Sequence, residues 1–224
     1  DVYKRQKQYS MIVNIPDNKL VKFVFKPCAG DNNSLSGYDC KKADNVVYWF
    51  DKVTLEPTDE AGPGEGEEPA TELVKNGSFE KDFAADKQPG IYAAWQTQGN
   101  NTLNFLDMWF AKPDVTNPSL SIDTSTGANG SNRSLKYTAE KVDNTWGVDL
   151  SYPLQGVNPG KYELSFYAKT NQTESPFITS ITLCENNEDI AKEAKFQKAI
   201  VLQNGVQTIE SGVNDIWGTV INQA

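Results

Sequence analysis

Alternation of apolar and polar residues with a period of two is the feature that most restricts how this chain folds. In residues 9–15, 20–26 and 162–169, every second side chain is apolar. Side chains of a strand point alternately to the two faces of a sheet, so these segments are predicted strands with one buried face. In the third segment, the buried set is Tyr162, Leu164, Phe166 and Ala168, and the opposite set is Glu163, Ser165, Tyr167 and Lys169.

Turn residues separate these segments at short intervals. Pro16-Asp17-Asn18 and Asn158-Pro159-Gly160 are turn signals, and Asn204-Gly205 is typical of a two-residue hairpin. Many short strands with regular turns predict an all-β fold, an antiparallel β-sandwich. The predicted strands are residues 9–15, 20–26, 46–55, 120–123, 134–138, 146–154, 162–169 and 177–184, with a hairpin over 199–209.

A linker divides the chain into two unequal segments. Residues 57–71 read PTDEAGPGEGEEPAT, with Pro, Gly and Glu dominant and no hydrophobic period. Segment one, residues 7–56, holds three predicted strands, too few for an independent sandwich. Segment two, residues 72–224, holds the others. Segment one therefore needs a second sheet to pack against.

Charge and composition exclude several functional classes. The net charge of −9 is unsuited to nucleic acid, which requires a basic surface, and to anionic membranes. No stretch approaches the roughly 20 apolar residues that span a bilayer. The chain has no histidine, which removes Ser-His-Asp and Cys-His catalysis and the common zinc sites. Any catalysis would depend on carboxylates alone.

The cysteines and the first residues give smaller indications. Cys28 and Cys40 flank a Gly/Asn/Ser-rich loop that a disulfide would close, in keeping with an oxidising compartment. Cys184 ends an apolar run and is expected to be a buried thiol. Residues 1–6, DVYKRQ, resemble a translated sequencing adapter, and we leave them out of the fold prediction as we would a tag.

Four segments resemble one family of proteins. Residues 73–80 (LVKNGSFE) resemble the opening strand of family 4 carbohydrate-binding modules and of their relatives in families 9 and 22. Residues 144–150 (NTWGVDL) and 160–170 (GKYELSFYAKT) resemble two further strands, and residues 47–56 (VYWFDKVTLE) resemble the closing strand. The resemblance implies a jelly-roll sandwich that binds β-glycan without catalysis.

The order of these segments implies a window across two tandem modules. Residues 7–56 resemble the end of a first module, and residues 72–224 resemble a second module that lacks its closing strands. We therefore expect segment one to pack onto segment two and complete its sandwich in a permuted order. The resemblance further implies attachment to a glycoside hydrolase, such as a family 10 xylanase of gut Bacteroidetes. It also implies a secreted, periplasmic or cell-surface location.

The same resemblance implies a structural calcium ion. Glu80 and Asp51 match positions that help to hold calcium in the family, and carboxylates are suitable hard ligands for it. The two residues fall in different segments. A complete site therefore requires the permuted packing.

Candidate glycan-binding residues are aromatic side chains for stacking and polar side chains for hydrogen bonding. Each of these assignments has an alternative. Trp109 and Trp146 could instead pack in the core, and any polar candidate could simply be a solvated surface residue. Trp49 is not a candidate, because it is expected to be structural. Tyr167 is expected to point away from the core. The candidates are Trp95, Trp109, Trp146, Trp217, Tyr167, Asn144, Gln155 and Glu163.

Two other functions compete with glycan binding. A glycosidase needs two carboxylates about 5–9.5 Å apart, and no spacing in the sequence singles out such a pair. A structural or protein-interaction sandwich without a sugar groove is the stronger alternative, because sandwich folds host many functions. Two or more exposed tryptophans on one face would favour glycan binding, with xylan the expected ligand, and five buried tryptophans would favour a spacer.

Overall fold

The computed structural model describes residues 7–15, 20–27, 43–58, 72–92, 105–113, 115–142, 150–171, 174–184, 196–203, 206–211 and 220–222. Within these ranges the regular secondary structure consists of β-strands, apart from one 3-10 turn at Ala85–Lys87. The strands are β1 (Lys7–Ile15), β2 (Leu20–Pro27), β3 (Ala43–Pro57), β4 (Gly90–Ile91), β5 (Phe110–Ala111), β6 (Ser119–Asp123), β7 (Ser134–Val142), β8 (Leu150–Leu154), β9 (Gly160–Thr170), β10 (Glu174–Cys184), β11 (Phe196–Gln203), β12 (Val206–Ser211) and β13 (Val220–Asn222).

These strands form the two sheets of an all-β sandwich, as the sequence predicts. The five-stranded sheet has the order β1-β9-β3-β7-β6 and is antiparallel throughout. The eight-stranded sheet has the order β13-β12-β11-β10-β2-β8-β5-β4. In that sheet only the short β4–β5 pair is parallel among the described strands. The jelly-roll connectivity stays a prediction.

Segment one lies inside both sheets and not beside them. β3 pairs with β9 on one side and β7 on the other, and β2 pairs with β8 and β10. β1 forms the edge of the five-stranded sheet against β9. The predicted packing of segment one onto segment two is therefore observed, since strands from both segments share one sandwich, and the permuted order of tandem modules stays a prediction.

Aromatic side chains from both segments build the core between the sheets. Phe25 of β2 and Phe50 of β3 stack with ring centroids 4.8 Å apart. Trp109 contacts Phe25 at 6.0 Å and Tyr152 of β8 at 4.7 Å. Phe166 of β9 lies 4.7 Å from Phe25. Because such side chains dominate core energetics, removal of either segment would expose the partners of the other.

β9 shows the alternation that the sequence predicts. Its buried residues are Tyr162, Leu164, Phe166, Ala168 and Thr170, and the residues between them are half-buried or exposed. β8 behaves differently, because all five of its residues are buried. Ser151 lies between Leu150 and Tyr152, where alternation predicts an outward side chain, but it is 1% exposed. That part of the prediction is wrong, since a strand covered on both faces has no solvent side.

The segment that resembles an opening strand, residues 73–80, is a turn. Asn76 and Phe79 have positive φ values of 54° and 58°, and the Asn76 amide side chain bonds both the N–H and the C=O of Lys81. A side-chain hydrogen bond of this kind competes with strand pairing. The turn still buries Val74 and Phe79 in the core.

The turn packs on an irregular point of β3. The register of β3 against β9 shifts between Asp51 and Thr54, and Lys52 there has a φ of 47°. The N–H of Val53 donates to Gly77 O at 2.9 Å. A Cβ at Gly77 would lie 2.0 Å from Val53 O, so only glycine permits this approach. The bulge in β3 is thus held from segment two.

Several predicted features lie outside the described residues: the loop between Cys28 and Cys40, residues 1–6, residues 59–71 of the linker, and the Asn204-Gly205 turn. The strands that flank this last turn, β11 and β12, do pair antiparallel as a hairpin requires. Of the described residues, no helix is long and apolar enough to cross a membrane.

We expect residues 59–224 alone to show no cooperative unfolding transition in urea. Deleting segment one removes β3 and β2 from the interior of both sheets, together with Phe25 and Phe50 from the core. Mixing this piece with a separate chain of residues 1–58 should restore the transition. A cooperative transition of residues 59–224 by themselves would show that segment one is dispensable.

Candidate functional site

The outer face of the five-stranded sheet is the best-described polar surface of the molecule. Its side chains come from alternate positions of β1, β9, β3, β7 and β6, which lie directly opposite one another across the strands. One row crosses the sheet as Lys169, Trp49, Lys136 and Ser121. The row two positions away along β9 contains Tyr167 and Asp51. Two aromatic side chains therefore lie diagonally on this face.

Trp49 is half-buried and fixed by polar contacts. Its indole N–H donates to Asp123 Oδ2 at 2.9 Å. Lys169 Nζ and Lys136 Nζ lie 4.5 Å and 5.6 Å from the ring centroid, within the range of a cation–π interaction. Lys169 Nζ also donates to Thr126 Oγ1 at 2.6 Å, and Lys136 Nζ lies 3.5 Å from Asp123 Oδ2. The ring orientation is thus set before any ligand arrives.

Asp123 is the carboxylate on which this arrangement depends. Burial alone would raise its pKa, but hydrogen bonds from Ser125 and Trp49 and the charge of Lys136 outweigh burial and hold the pKa below its ordinary value. The charged form is therefore favoured in the folded protein. Burial lowers the pKa of Lys169; Asp123 opposes that effect and Lys136 adds to it.

Tyr167 is held by the loop between β6 and β7. Its hydroxyl accepts a hydrogen bond of 2.6 Å from Asn129 Nδ2. Tyr167 is half-buried and points away from the core, as predicted, because Phe166 and Ala168 on either side are buried. The loop that carries Asn129 covers one end of the outer face and leaves Trp49 and Tyr167 partly accessible.

The two predicted calcium ligands come together at the same loop. Asp51 is 0% exposed, and its carboxylate accepts hydrogen bonds from Lys52 N at 2.7 Å and Ala128 N at 2.6 Å. Ser131 donates to Glu80 Oε1 and also neighbours the Asp51 carboxylate. One serine hydroxyl thus links a carboxylate from each segment.

The two carboxylates have opposite pKa shifts. Burial raises the pKa of Asp51 despite hydrogen bonds from Ala128, Lys52 and Ser131. The hydrogen bond from Ser131 lowers the pKa of Glu80. Among the described residues there is no group of three or more acidic or cysteine side chains of the kind that holds a metal ion. A cation here would need backbone or hydroxyl oxygens besides the two carboxylates.

Trp109 is not on the surface. It is 0% exposed and packs between Phe25, Phe79 and Tyr152. A ring without accessible area cannot stack on a sugar, so its assignment as a binding platform is wrong and the core alternative is observed. The loop-like sequence around it gave no sign of burial, because the partners of Trp109 come from strands distant in the chain.

The remaining candidates are scattered or undescribed. Glu163 is exposed on the outer face of the five-stranded sheet, and Gln155 is exposed just after β8. The structure does not bring Gln155 into the rows of the outer face. Trp95, Asn144, Trp146 and Trp217 lie outside the described residues.

No family model, curated protein or solved structure matches this chain. The case for its function therefore depends on the geometry of the outer face.

Trp49 lies on this face although the sequence does not place it among the candidates. Its position on a predicted closing strand favours a structural role, and its contacts with Asp123, Lys136 and Lys169 are compatible with that role. The alternation of apolar and polar residues does indicate that its side chain faces outward, because its neighbours Tyr48 and Phe50 are both buried. In a strand, the residue between two core positions faces outward.

The depressed pKa of Asp123 predicts how Asp123→Asn changes acid stability. In the unfolded chain the pKa has its ordinary value of 3.8, and in the folded chain it is lower. The stabilisation by this carboxylate is thus complete above 3.8 and is lost as the pH falls below 3.8 toward the folded pKa. We expect Asp123→Asn to lower the free energy of unfolding by about 2 kcal/mol near neutral pH.

The difference between the two proteins should shrink toward about pH 3, measured by urea denaturation with tryptophan fluorescence. Asp82→Asn is the matched control, because the Asp82 side chain is 91% exposed despite its ion pair with Arg133. A difference that stays constant over the whole pH range would refute the role of Asp123.

Proposed function

We propose that this chain is a non-catalytic β-glycan-binding module, with the outer face of the five-stranded sheet as its binding surface. The observation that carries the proposal is the pair Trp49 and Tyr167, two half-exposed aromatic side chains on a polar sheet face. Each is held at its polar end, by Asp123 and Asn129 respectively. Xylan is the expected polysaccharide.

The physical basis is complementarity to a sugar ring. A pyranose presents an apolar C–H face surrounded by hydroxyl groups, so it is bound by aromatic surfaces with hydrogen-bonding groups beside them. Around Trp49 and Tyr167 the outer face supplies serine, threonine, lysine and carboxylate groups. Because both rings are fixed before binding, little side-chain entropy remains to be lost.

The geometry of Asp51 and Glu80 argues against this pair as catalytic carboxylates. Both converge on the hydroxyl of Ser131, but Asp51 has no accessible surface. A glycosidase needs both carboxylates to flank the scissile bond. In the wider proposal, the chain belongs to a secreted, periplasmic or cell-surface protein and directs an attached glycoside hydrolase to polysaccharide.

Affinity electrophoresis in native gels with xylan, mixed-linkage β-glucan or no polysaccharide tests the binding role. We expect retardation in xylan, and Trp49→Ala or Tyr167→Ala should weaken binding at least about tenfold by loss of stacking. Ile12→Ala is the matched control, because Ile12 is 59% exposed on the same face of β1, opposite Glu163. Unchanged mobility of the folded wild type in every gel would favour a structural spacer.

We further propose a structural calcium ion held by Asp51 and Glu80. A serine hydroxyl has one proton, so Ser131 can donate to only one of the two carboxylates at a time. A hard cation satisfies both, and oxygen donors of this kind are those that calcium prefers. When bound, the ion would tie segment one to segment two through charge neutralisation.

Calcium should raise the melting temperature of the wild type, and a chelator should reverse the increase. Glu80→Gln should abolish the response, since it removes one of the two charges. Glu163→Gln, an exposed carboxylate on the outer face of the same sheet, should respond as the wild type does. A calcium response that survives Glu80→Gln would exclude this site.

A further inference from the structure

Charge on the outer face of the five-stranded sheet is separated toward opposite ends. At one end lies the row of Lys169, Trp49 and Lys136, hereafter the Trp49 row. At the other end, Glu163 of β9 lies opposite Glu56 of β3, and both are exposed; Lys161, two residues from Glu163 on the same face of β9, leaves an excess of one negative charge among these three residues. The two ends are six residues apart along β9, or about 20 Å. A ligand lying along the strands would meet a basic end and an acidic end.

The Trp49 row has more positive than negative charge. Lys136 pairs with Asp123 at 3.5 Å. Lys169 donates to the neutral hydroxyl of Thr126, and among the described residues no carboxylate lies within ion-pair distance of its ammonium group. Two ammonium groups thus share one carboxylate beside the half-exposed indole. This local excess of positive charge contrasts with the net charge of the whole chain, which is −9.

Lys169 is also incompletely solvated. Its side chain is half-buried, and the pKa is lowered chiefly by burial. A partly desolvated ammonium group gains more from an anionic partner than a fully hydrated one. The Lys169 ammonium group now contacts the hydroxyl of Thr126 and the ring of Trp49, which are both uncharged. A ligand carboxylate could therefore replace these contacts without leaving another charge unpaired.

We propose that the Trp49 row recognises the carboxylate of a uronic acid unit in the bound glycan. The sugar ring packs against the exposed part of the indole, and the carboxylate accepts hydrogen bonds from Lys169 and Lys136. The inference rests on the proposed glycan-binding function and adds to it the chemical class of the ligand: a β-glycan that carries acidic sugar units.

The overall charge selects this ligand over a polyanion. A chain of net charge −9 repels a densely charged polymer such as nucleic acid. A glycan with only a few uronic acid units would place one carboxylate beside the Trp49 row, where the two lysines exceed the one carboxylate of Asp123 by a single positive charge. The acidic end of the face, at Glu163 and Glu56, disfavours a ligand that is charged at every residue.

The test compares glucuronate-substituted xylan with the same xylan after chemical reduction of its carboxyl groups. Polygalacturonate, charged at every residue, is the third ligand. By isothermal titration at low salt, we expect the wild type to bind substituted xylan about tenfold more tightly than reduced xylan. Binding to polygalacturonate should be weaker than to substituted xylan, and added salt should reduce the preference.

Variants locate the effect. Lys169→Gln combined with Lys136→Gln should lower the ratio of the affinities for substituted and reduced xylan to about twofold or less. Lys169→Arg with Lys136→Arg should keep the preference, which guards against loss of structure. Lys161→Gln is the matched control, because Lys161 occupies the same face of β9 at the acidic end.

The two proposals fail separately. Equal binding of the wild type to substituted and reduced xylan would overturn uronate recognition and leave glycan binding intact. A preference that survives the double Gln variant would overturn the assignment to the Trp49 row. No binding to any polysaccharide would overturn the proposed function, and this inference with it.

Discussion

The buried carboxylate of Asp51 connects three parts of the chain that are distant in sequence. Its oxygens accept hydrogen bonds from Lys52 N in the bulge of β3 and from Ala128 N in the loop between β6 and β7. Through Ser131 it also adjoins Glu80, at the end of the turn over residues 73–80. A buried charge without such donors would cost several kcal/mol, so these contacts have to form together. The bulge, the loop and the turn are therefore one structural unit.

The candidate binding surface depends on that unit. The loop that donates Ala128 N to Asp51 also provides Asn129, which holds Tyr167, and Thr126, which holds Lys169. A shift of this loop would release the outer ends of both side chains at once. Fold and candidate site thus share the same hydrogen bonds, and the order of the outer face follows from a carboxylate that has no solvent-accessible surface.

Local pattern predicted the strands well because alternation is a property of neighbouring residues. The faces of β9 follow from it. The pairing of segment one with segment two is expected instead from the order of the segments that resemble one family. What the pattern missed depends on distant parts of the chain. Trp109 is buried by Phe25, Phe79 and Tyr152. Residues 73–80 form a turn that is held locally by the bonds between Asn76 and Lys81 and from a distance by the contact of Gly77 with Val53.

Trp49 is a different case. Its position between Tyr48 and Phe50 predicts an outward side chain, and the resemblance of its segment to a closing strand predicts a structural role. Its fixed orientation needs Asp123 and Lys136, whose alignment opposite β3 is set by the pairing of β7 with both β3 and β6. The direction of the side chain was therefore predictable from sequence, and its environment was not.

The Pro/Gly/Glu-rich linker separates the two segments along the chain, but it is not a boundary of the hydrophobic core. Val53 lies before the linker and Gly77 after it, yet the N–H of Val53 donates to Gly77 O at 2.9 Å. Closing a longer connection costs little, about 0.6 kcal/mol for each doubling of its length, so strand pairing decides the fold almost independently of the linker. β3 lies between β9 and β7 although it precedes both of them in the chain and is separated from them by the linker. The extent of the sandwich is thus set by which strands pair.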